Sequence, residues 1–411
     1  MSIAPKVLSF AEARACVERH AAEIQPMPSE KVELLPAAGR NLAEDISADR
    51  DLPSFPRATR DGYAVRSDDL SETPTELKIM GQVKAGEVWS GATMERGQCL
   101  EIMTGAPVPQ GADAVVMVEY TQVLGDIVRI DRGVSGGENV VPTGSEARQG
   151  QVVLKRGTRL GPAQVGMAAA VGRDKIKVYR RPRVAILSTG DEVVDIAAKP
   201  EIQQVRNSNS YALAAQVLGA GGDPVQLPIA PDDLSRLESL IREGLEADLL
   251  LLSGGVSMGK YDLVEQVLEK LGAEFFFTGA LIQPGRPIVF GRARTGKKIY
   301  FFGLPGNPVS TLVTFELFAG CLVAALAGGV RSLSYASAKL MQPVKTRPGL
   351  TRFLPAVLKG EMLEPVVEVV PWQGSGDMAA TAGANCYLIV PPDRPEMAAG
   401  EPASVLLPGG G

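Results

Sequence analysis

The sequence predicts a multidomain protein of mixed α/β and β class, in which an αβ layered domain with a mostly parallel sheet is combined with β-rich domains. Residues 180–328 alternate continuous apolar strands with amphipathic helices, which is typical of a parallel sheet buried on both faces. Residues 49–139 and 333–411 break into short apolar runs between turns, as small β domains do. The 45 glycines and 30 prolines among 411 residues supply those turns.

These changes of pattern divide the chain into segments. Residues 1–48 and residues 140–179 lie on either side of the first β-rich segment, with expected elements at 9–24 (helix), 31–35 (extended), 151–154 (strand) and 162–171 (helix). Residues 49–139 form a β-rich domain, with strands expected at 87–89, 99–103 and 114–118. Residues 333–411 form a small C-terminal β domain, with strands expected at 339–344, 352–358, 366–370, 387–390 and 404–407.

The αβ domain, residues 180–328, has the clearest periodicity. Apolar residues spaced three and four apart predict helices at 234–245 and 263–271, and a further helix is expected at 211–218. Buried strands are expected at 184–187, 225–229, 249–252 and 299–302. The apolar segment 308–328 is long enough to cross a membrane, but Glu316 lies in its middle, so a buried helix is the better interpretation.

Composition excludes several kinds of function. A net charge of −5 and only 5% aromatic residues disfavour a nucleic-acid-binding surface. The single histidine, His20, rules out zinc sites built on several histidines and has no nucleophile motif beside it, so a packing or surface role is expected. The cysteines form no C-x-x-C pair, and the N-terminal residues lack the apolar core of a signal peptide. Reduced thiols, a cytoplasmic location and no membrane contact are expected.

The strongest local signal is the segment 249–262, in which an apolar strand runs into the glycine-rich loop SGGVSMGKYD. Ligands of parallel α/β sheets bind at the carboxyl ends of the strands, and glycines there let the backbone approach an anion closely. Gly254 and Gly259-Lys260 have the spacing of a nucleotide-binding P-loop, but Tyr261 stands where that motif needs a magnesium-binding hydroxyl. Asp262 is either a helix N-cap or a functional carboxylate beside a phosphate.

Acidic residues follow two other strands of the predicted sheet. Asp191 and Glu192 close the loop LSTGDEV at a predicted helix start, where they could simply complement the helix dipole. Asp232 and Asp233 precede the helix at 234–245, where either is a candidate N-cap. The alternative is that these acids meet at one sheet edge, because Mg²⁺ is held by one or two carboxylates together with phosphate oxygens.

Two further loops complete the candidate ligand site. The loop GLPGNPVS, residues 303–310, follows a strand, and its two prolines stiffen a backbone whose Gly306 and Asn307 amides are free for recognition. The loop QPGRP, residues 283–287, contains Arg286, whose forked donors suit phosphate.

The order of these motifs resembles that of the MoeA family of molybdopterin molybdenumtransferases, to which the gephyrin E domain also belongs. The motifs are DGYAV, TGAPVP, STGDE, SGGVSMGKYD, PGRP, GLPGNPVS and GSGDMAATAGAN. They lie in register over residues 6 to 408 of the chain.

The resemblance implies an activity and an assembly. The family inserts molybdate into the dithiolene of adenylylated molybdopterin, with hydrolysis and release of AMP, using Mg²⁺ or a similar cation. It implies an elongated homodimer of four-domain subunits, with residues 1–48 and 140–179 as linker and dimerisation domain and a small C-terminal β-barrel. The site then lies between the αβ domain of one subunit and the lid, residues 49–139, of its partner. The molybdopterin adenylyltransferase and molybdoenzyme apoproteins are the partner proteins it suggests.

The matching motifs also imply roles for single residues. The expected catalytic residues are Asp61, Thr104, Glu192, Asp232 and Asp262. The expected metal ligands are Glu192, Asp232, Asp262 and Glu146. The expected substrate-binding residues are Ser253, Gly254, Gly255, Ser257, Arg286, Pro305, Asn307, Pro308 and Ser375.

The sequence departs from the family pattern at several charged positions, which are Arg60, Gln283, Arg286, Glu146 and Leu350. One interpretation is that positive charge is relocated while the chemistry is kept, with Arg286 supplying the charge of a lost lysine. Others are an altered oxyanion preference, such as tungstate, and a scaffold that binds pterin without turnover. A pyrophosphohydrolase of a nucleotide-like substrate on the same αβ domain is a further alternative.

Overall fold

A computed structural model of the chain describes residues 6–255, 263–295, 297–361 and 363–409. Within them lie the helices α1 (Phe10–Ala22), α2 (Pro162–Ala170), α3 (Ser208–Gly219), α4 (Leu234–Gly244), α5 (Leu263–Lys270), α6 (Pro308–Thr314), α7 (Gly320–Leu326) and α8 (Met378–Ala382). A π-helical turn, Phe315–Ala319, joins α6 to α7. Short 3₁₀ turns lie at Leu35–Ala37, Ser67–Leu70 and Val118–Tyr120.

The central sheet has six strands, in the order Asp223–Gln226, Arg183–Ser188, Leu249–Ser253, Lys297–Leu304, Val289–Thr295 and Glu274–Phe277. The first four strands are mutually parallel, which confirms the predicted fold class. The last two strands are joined by antiparallel pairings: Val289–Thr295 pairs with Lys297–Leu304, and Glu274–Phe277 pairs with Val289–Thr295. The sequence pattern did not predict these two strands. Leu249–Ser253 is buried on both faces because one hydrophobic core lies on each side of the sheet, and this accounts for its unbroken apolar run.

The apolar segment after the sheet is a core helix. Pro308–Leu326 is 19 residues long with a mean hydropathy of 2.0, and 89% of its most apolar stretch is buried inside the molecule. Both oxygens of Glu316 accept hydrogen bonds of 2.8 Å from the Arg331 guanidinium, so its buried charge is paired. The expectation of a buried helix is therefore confirmed.

The first helix packs against the same core. Ala13, Cys16 and Val17 of α1 join the cluster formed by α7 and one face of the sheet, and the preceding strand Val7–Leu8 pairs with Gly279–Ala280. The His20 ring stacks on Phe276 at 3.9 Å between ring centroids, and burial lowers its pKa. His20 is thus a packing residue, and the four cysteines are free and buried.

A second six-stranded sheet lies within residues 62–130. Its order is Ala114–Met117, Gly62–Val65, Gln98–Ile102, Thr75–Val83, Ile127–Ile130 and Thr121–Leu124. The strand expected at 87–89 is wrong: these residues form a loop in which the Trp89 indole donates to the Ala92 carbonyl at 2.9 Å. The indole also lies where side chains on Gly81 and Gly91 would be, so Trp89 covers this loop instead of pairing in a strand.

Short strand pairs connect residues 29–58 with residues 140–179. They are Ser29–Glu33 with Lys175–Tyr179, Ile46–Ser47 with Val152–Leu154, and Arg57–Ala58 with Val140–Val141. A separate hydrophobic cluster, which includes Leu42, Ile46 and Ile176, lies between these strands and α2.

The C-terminal region is a closed five-stranded barrel. Its strands follow the order Thr351–Lys359, Val366–Val369, Ser334–Leu340, Pro402–Leu407 and Cys386–Val390, and the last pairs again with the first. Ile282–Gln283 adds to the outside of Thr351–Lys359. The remaining strand pairs are Val344–Lys345 with Glu396–Met397, and Val193–Val194 with Val205–Arg206. The barrel is therefore joined by backbone hydrogen bonds to the loop that contains Arg286.

Candidate active site

A cleft of about 960 Å³ opens at the carboxyl ends of the parallel strands. Its polar and glycine residues come from six separate segments of the chain. Its polar and glycine lining is Ser188, Thr189, Gly190, Glu192, Arg206, Asn207, Ser208, Asn209, Asp232, Ser253, Gly254, Gly255, Gly306, Asn307 and Gly376. The position is the one expected for a ligand site of a parallel α/β sheet.

The glycine turn after Leu249–Ser253 forms the floor of the cleft. Gly254 and Gly255 have φ angles of 91° and 65°, in the left-handed region. A Cβ on Gly254 would lie 2.8 Å from the Thr189 carbonyl oxygen, so the turn and the Thr189 loop are in contact only because no side chain intervenes. The predicted contribution of Ser253, Gly254 and Gly255 to one site is consistent with this geometry. Ser257 and Asp262 lie outside the described residues.

The four acids of the cleft have three different roles. Asp233 caps α4: its Oδ1 accepts from the Ser235 hydroxyl at 2.6 Å and the Arg236 N–H at 2.8 Å, and these bonds lower its pKa. Asp191 Oδ1 accepts from the Asp232 N–H at 3.0 Å and so orients that loop. Glu192 and Asp232 line the cleft itself.

The surroundings of Asp232 disfavour its charged form. Burial raises its pKa most, and the neighbouring carboxylates of Asp191 and Glu192 raise it further. The expected helix start at Asp191 and Glu192 is wrong: these residues occupy a turn that begins at Gly190, with φ of 130°, and leads into Val193–Val194. The next helix, α3, begins only at Ser208, so no helix dipole compensates these two charges there.

The loop 303–308 forms another wall and connects the cleft to the C-terminal region. Pro305, Asn307 and Pro308, three of the residues expected to bind substrate, line the cleft. The Asn307 Nδ2 donates to the Ser375 hydroxyl at 2.8 Å, and the Val309 N–H donates to the Ser375 carbonyl at 3.0 Å. These two bonds hold the segment that contains Ser375 at the cleft. Ser375 itself contacts the loop 303–308 and its helix, and its neighbour Gly376 lines the cleft.

The segment 205–209 was missed by the sequence reasoning. Asn207 N-caps α3, and Asn209 donates to both Ser253 and Gly306. Two asparagines two residues apart at the start of a helix were the available signal, because asparagine is favoured there. Thr189 was also not singled out, yet its buried hydroxyl has no hydrogen-bond partner among the described residues.

The structure does not bring every predicted site residue into this cleft. Asp61 accepts from the Thr104 N–H at 2.6 Å and the Thr104 hydroxyl at 2.8 Å, and these bonds lower its pKa. Glu146 forms an exposed 2.8 Å ion pair with Arg57. Arg286 is exposed, and only its neighbour Pro287 lines the cleft. Asp61, Thr104 and Glu146 are all outside the lining of this chain's own cleft.

The grouping of potential metal ligands can be followed over the described residues. Across the described ranges, no three His, Cys, Asp or Glu side chains converge closely enough to hold a metal ion by themselves. The predicted set of Glu192, Asp232, Asp262 and Glu146 is therefore not assembled in this part of the chain: two of its members line the cleft, Glu146 is paired elsewhere, and Asp262 is outside the described residues.

The fold and the cleft define a multidomain protein with a ligand-type cleft at the carboxyl edge of a mostly parallel αβ domain. Three family regions match consecutive parts of the chain: the MoeA N-terminal region (domain I and II) over residues 8–172, the probable molybdopterin binding domain over 185–324, and the MoeA C-terminal region (domain IV) over 337–407. The chain therefore belongs to the MoeA family, which acts in molybdenum cofactor biosynthesis.

Similar proteins cover nearly the whole chain. A molybdopterin molybdenumtransferase from Bacillus subtilis is 33% identical over 92% of this chain and 90% of its own length. One from Synechocystis is 34% identical over 88% of this chain and 91% of its own. The crystal structure of a molybdopterin biosynthesis moeA protein from Pyrococcus horikoshii OT3 superposes with a TM-score of 0.79 at 29% identity, covering 98% of this chain and 100% of that one.

Proposed function

We propose that the cleft binds adenylylated molybdopterin and that the protein transfers molybdate to its dithiolene, with hydrolysis of the phosphoanhydride and release of AMP. The observation that supports this most is the glycine turn Ser253–Gly254–Gly255 at the carboxyl edge of the sheet. It lies beside the loop of Pro305 and Asn307, because the two loops follow paired strands, and both loops line the cleft. Small donors and closely approaching backbone suit a planar ring and an anionic phosphate.

The acids of the cleft imply a cation. A phosphoanhydride is anionic, and Glu192 and Asp232 would repel it unless a positive ion lay between them. The donor set fits Mg²⁺, because carboxylate oxygens are its preferred protein ligands and it completes its shell with substrate phosphates and water. None of the described residues forms an ion pair with Asp191, Glu192 or Asp232. We propose Glu192 and Asp232, with Asp262, as the groups that hold the ion, which would neutralise charge on the phosphate oxygens.

The lid residues imply a second subunit. Asp61 and Thr104 form a preorganised carboxylate–hydroxyl pair that is exposed and outside this chain's cleft. We propose a homodimer in which this pair, with Glu146, completes the cleft of the partner. The molybdopterin adenylyltransferase and molybdoenzyme apoproteins are the proposed protein partners, and a cytoplasmic location agrees with four free cysteines.

The test is AMP release from adenylylated molybdopterin by the purified chain. We expect turnover only when molybdate and Mg²⁺ are both present, and loss of turnover with EDTA. Hydrolysis that ignores molybdate would identify a pyrophosphohydrolase instead, and tight binding without AMP release would identify a scaffold. Replacing molybdate with tungstate compares the two oxyanions directly, and faster turnover with tungstate would contradict the proposed molybdate preference.

A further inference from the structure

Two serines end neighbouring strands of the central sheet in the same register. Ser188 and Ser253 are Cα partners at the carboxyl ends of parallel strands, and both line the cleft. Both are buried, with 4% and 3% of their surface exposed. Each meets an asparagine from one short segment: Ser188 contacts Asn207 and Ser253 contacts Asn209. The two pairs look equivalent, but their hydrogen bonds run in opposite directions.

The Ser188 hydroxyl donates its hydrogen to another side chain of the protein. Its Oγ lies 2.9 Å from the Asn207 Oδ1. The Asn207 Oδ1 also accepts a hydrogen bond from the Ser210 N–H at 3.2 Å. A backbone N–H can only donate, so this end of the Asn207 amide must be the oxygen. Ser188 is therefore the donor in its pair, and its proton is directed away from any ligand.

The Ser253 hydroxyl keeps its hydrogen. The Asn209 Nδ2 donates to the Ser253 Oγ at 2.9 Å and to the Gly306 carbonyl at 2.7 Å. A carbonyl can only accept, so this end of the amide must be the nitrogen, and Ser253 must be the acceptor in its pair. None of the described residues accepts the Ser253 hydrogen.

The geometry points to Asn209 as a positioning residue that presents the Ser253 hydroxyl, as a donor, to an acceptor oxygen of the bound ligand. It does so in two ways. Its amide occupies the acceptor side of Ser253, and it ties the glycine turn to the neighbouring Gly306 loop. The inference rests on the proposed function, because it assumes that the cleft binds a molybdopterin compound. The acceptor is a phosphate oxygen or the pterin carbonyl.

The test measures binding of molybdopterin and, separately, of AMP by titration calorimetry. A hydrogen bond to a charged acceptor is lost in Ser253→Ala, so we expect about a tenfold or larger weakening. Asn209→Asp should weaken binding at least as much, since a carboxylate would capture the Ser253 hydrogen. Combining the two substitutions should cost less than their sum, because both remove one bond. A loss of affinity for molybdopterin but not for AMP places the acceptor oxygen on molybdopterin, and a loss of affinity for AMP places it on the AMP phosphate.

A pH series separates positioning from a merely structural effect. In Asn209→Asp, protonation of the new carboxyl returns a donor toward Ser253, so the loss of affinity should shrink as pH falls from 8 to 5. The affinity of Ser253→Ala relative to the wild type should lack this trend. The control is Asn41→Asp, a change at a buried asparagine outside the cleft whose Nδ2 donates to the Ala327 carbonyl at 2.9 Å; it should lower the free energy of unfolding and leave ligand affinity unchanged.

Three outcomes overturn the inference in different ways. If the wild-type chain binds molybdopterin, but Ser253→Ala and Asn209→Asp bind it equally well, the positioning role is wrong and the proposed function stands. If the folded wild-type chain binds neither molybdopterin nor AMP, both fail. An Asn209→Asp protein with lower thermal stability and unchanged affinity would show that Asn209 only joins the two loops.

Discussion

The two carboxylates expected to do chemistry, Asp61 and Asp232, sit in opposite electrostatic environments. Asp61 in the lid sheet accepts two hydrogen bonds from Thr104, which favour its charged form and lower its pKa. Asp232 at the edge of the central sheet is desolvated and lies beside two other acids, which raise its pKa. Hydrogen bonding thus prepares one carboxylate to remain ionised, while burial and like charge oppose ionisation of the other.

This difference indicates which residue lacks a charge partner among the residues that the structure describes. Asp61 is satisfied by its own turn and can act as a rigid anionic contact. A cation bound beside Asp232 would favour its charged form, which burial and the neighbouring acids disfavour. Sites that perturb pKa in this way are often functional. The predictions below test this contrast.

The largest effect is expected for Asp232→Asn. Loss of a proposed cation ligand should reduce molybdate-dependent AMP release by about a hundredfold, since even indirect partners of metal ligands cost about ten- to a hundredfold. The measurement is turnover at saturating Mg²⁺. Asp233→Asn is the matched control, because the adjacent Asp233 caps α4 and asparagine preserves that cap. Equal losses in both variants would contradict the assignment.

A strong effect is also expected for Asp61→Ala, which should lower metal insertion by about tenfold or more. Groups that orient a metal site typically contribute about 10- to 100-fold. Its carboxylate is exposed, so the fold should persist and the far-ultraviolet circular dichroism should be unchanged. Thr104→Ser keeps the hydroxyl and the backbone donor to Asp61 and should retain most activity. Wild-type rates in Asp61→Ala would refute its role.

A smaller effect is expected in the pH dependence of stability. Because folding raises the pKa of Asp232, the folded state binds this proton more tightly, and Asp232 destabilises the protein increasingly as pH rises through its folded pKa. Asp61 has a lowered pKa, so its contribution is present above the unfolded value and is lost as pH falls through its folded pKa.

Thermal unfolding at several pH values measures whether each carboxylate stabilises or destabilises the protein as pH changes. At neutral pH, Asp232→Asn should be more stable than the wild type, and Mg²⁺ should stabilise the wild type more than the variant. Asp61→Asn should be less stable than the wild type at neutral pH, with the difference fading in acid. A cation effect of equal size in Asp232→Asn and the wild type would place the ion elsewhere.

The smallest effect is expected for Arg286→Ala. Arg286 is exposed beside Pro287 of the cleft, so a long-range contribution to an anionic ligand should be worth at most about 1 kcal/mol, or roughly fivefold in affinity. Raising the salt concentration should reduce the difference. The variant Arg60→Met allows the same affinity comparison at Arg60, another charged position that departs from the family pattern. An unchanged affinity in Arg286→Ala would show that this arginine does not replace the lost lysine charge.

Sequence alone determined the elements with strong periodicity and the loops with unusual backbone demands. The apolar run Leu249–Ser253 and the helix faces of α4 and α5 follow directly from burial. The glycines after Ser253 and the prolines around Asn307 mark conformations that other residues adopt poorly. Resemblance of the ordered motifs added the family, because seven short signals in register are far more specific than any one.

Tertiary structure decided which of the equivalent residues face the cleft. Asp232 and Asp233 are indistinguishable as neighbours in the chain, yet one caps a helix and the other points among acids. Asn207 and Asn209 likewise end in opposite hydrogen-bonding roles. Side-chain direction and hydrogen-bond polarity depend on partners that are distant in sequence, such as Ser253 and Gly306. Local pattern carries no information on those partners until the strands align and bring their carboxyl ends together.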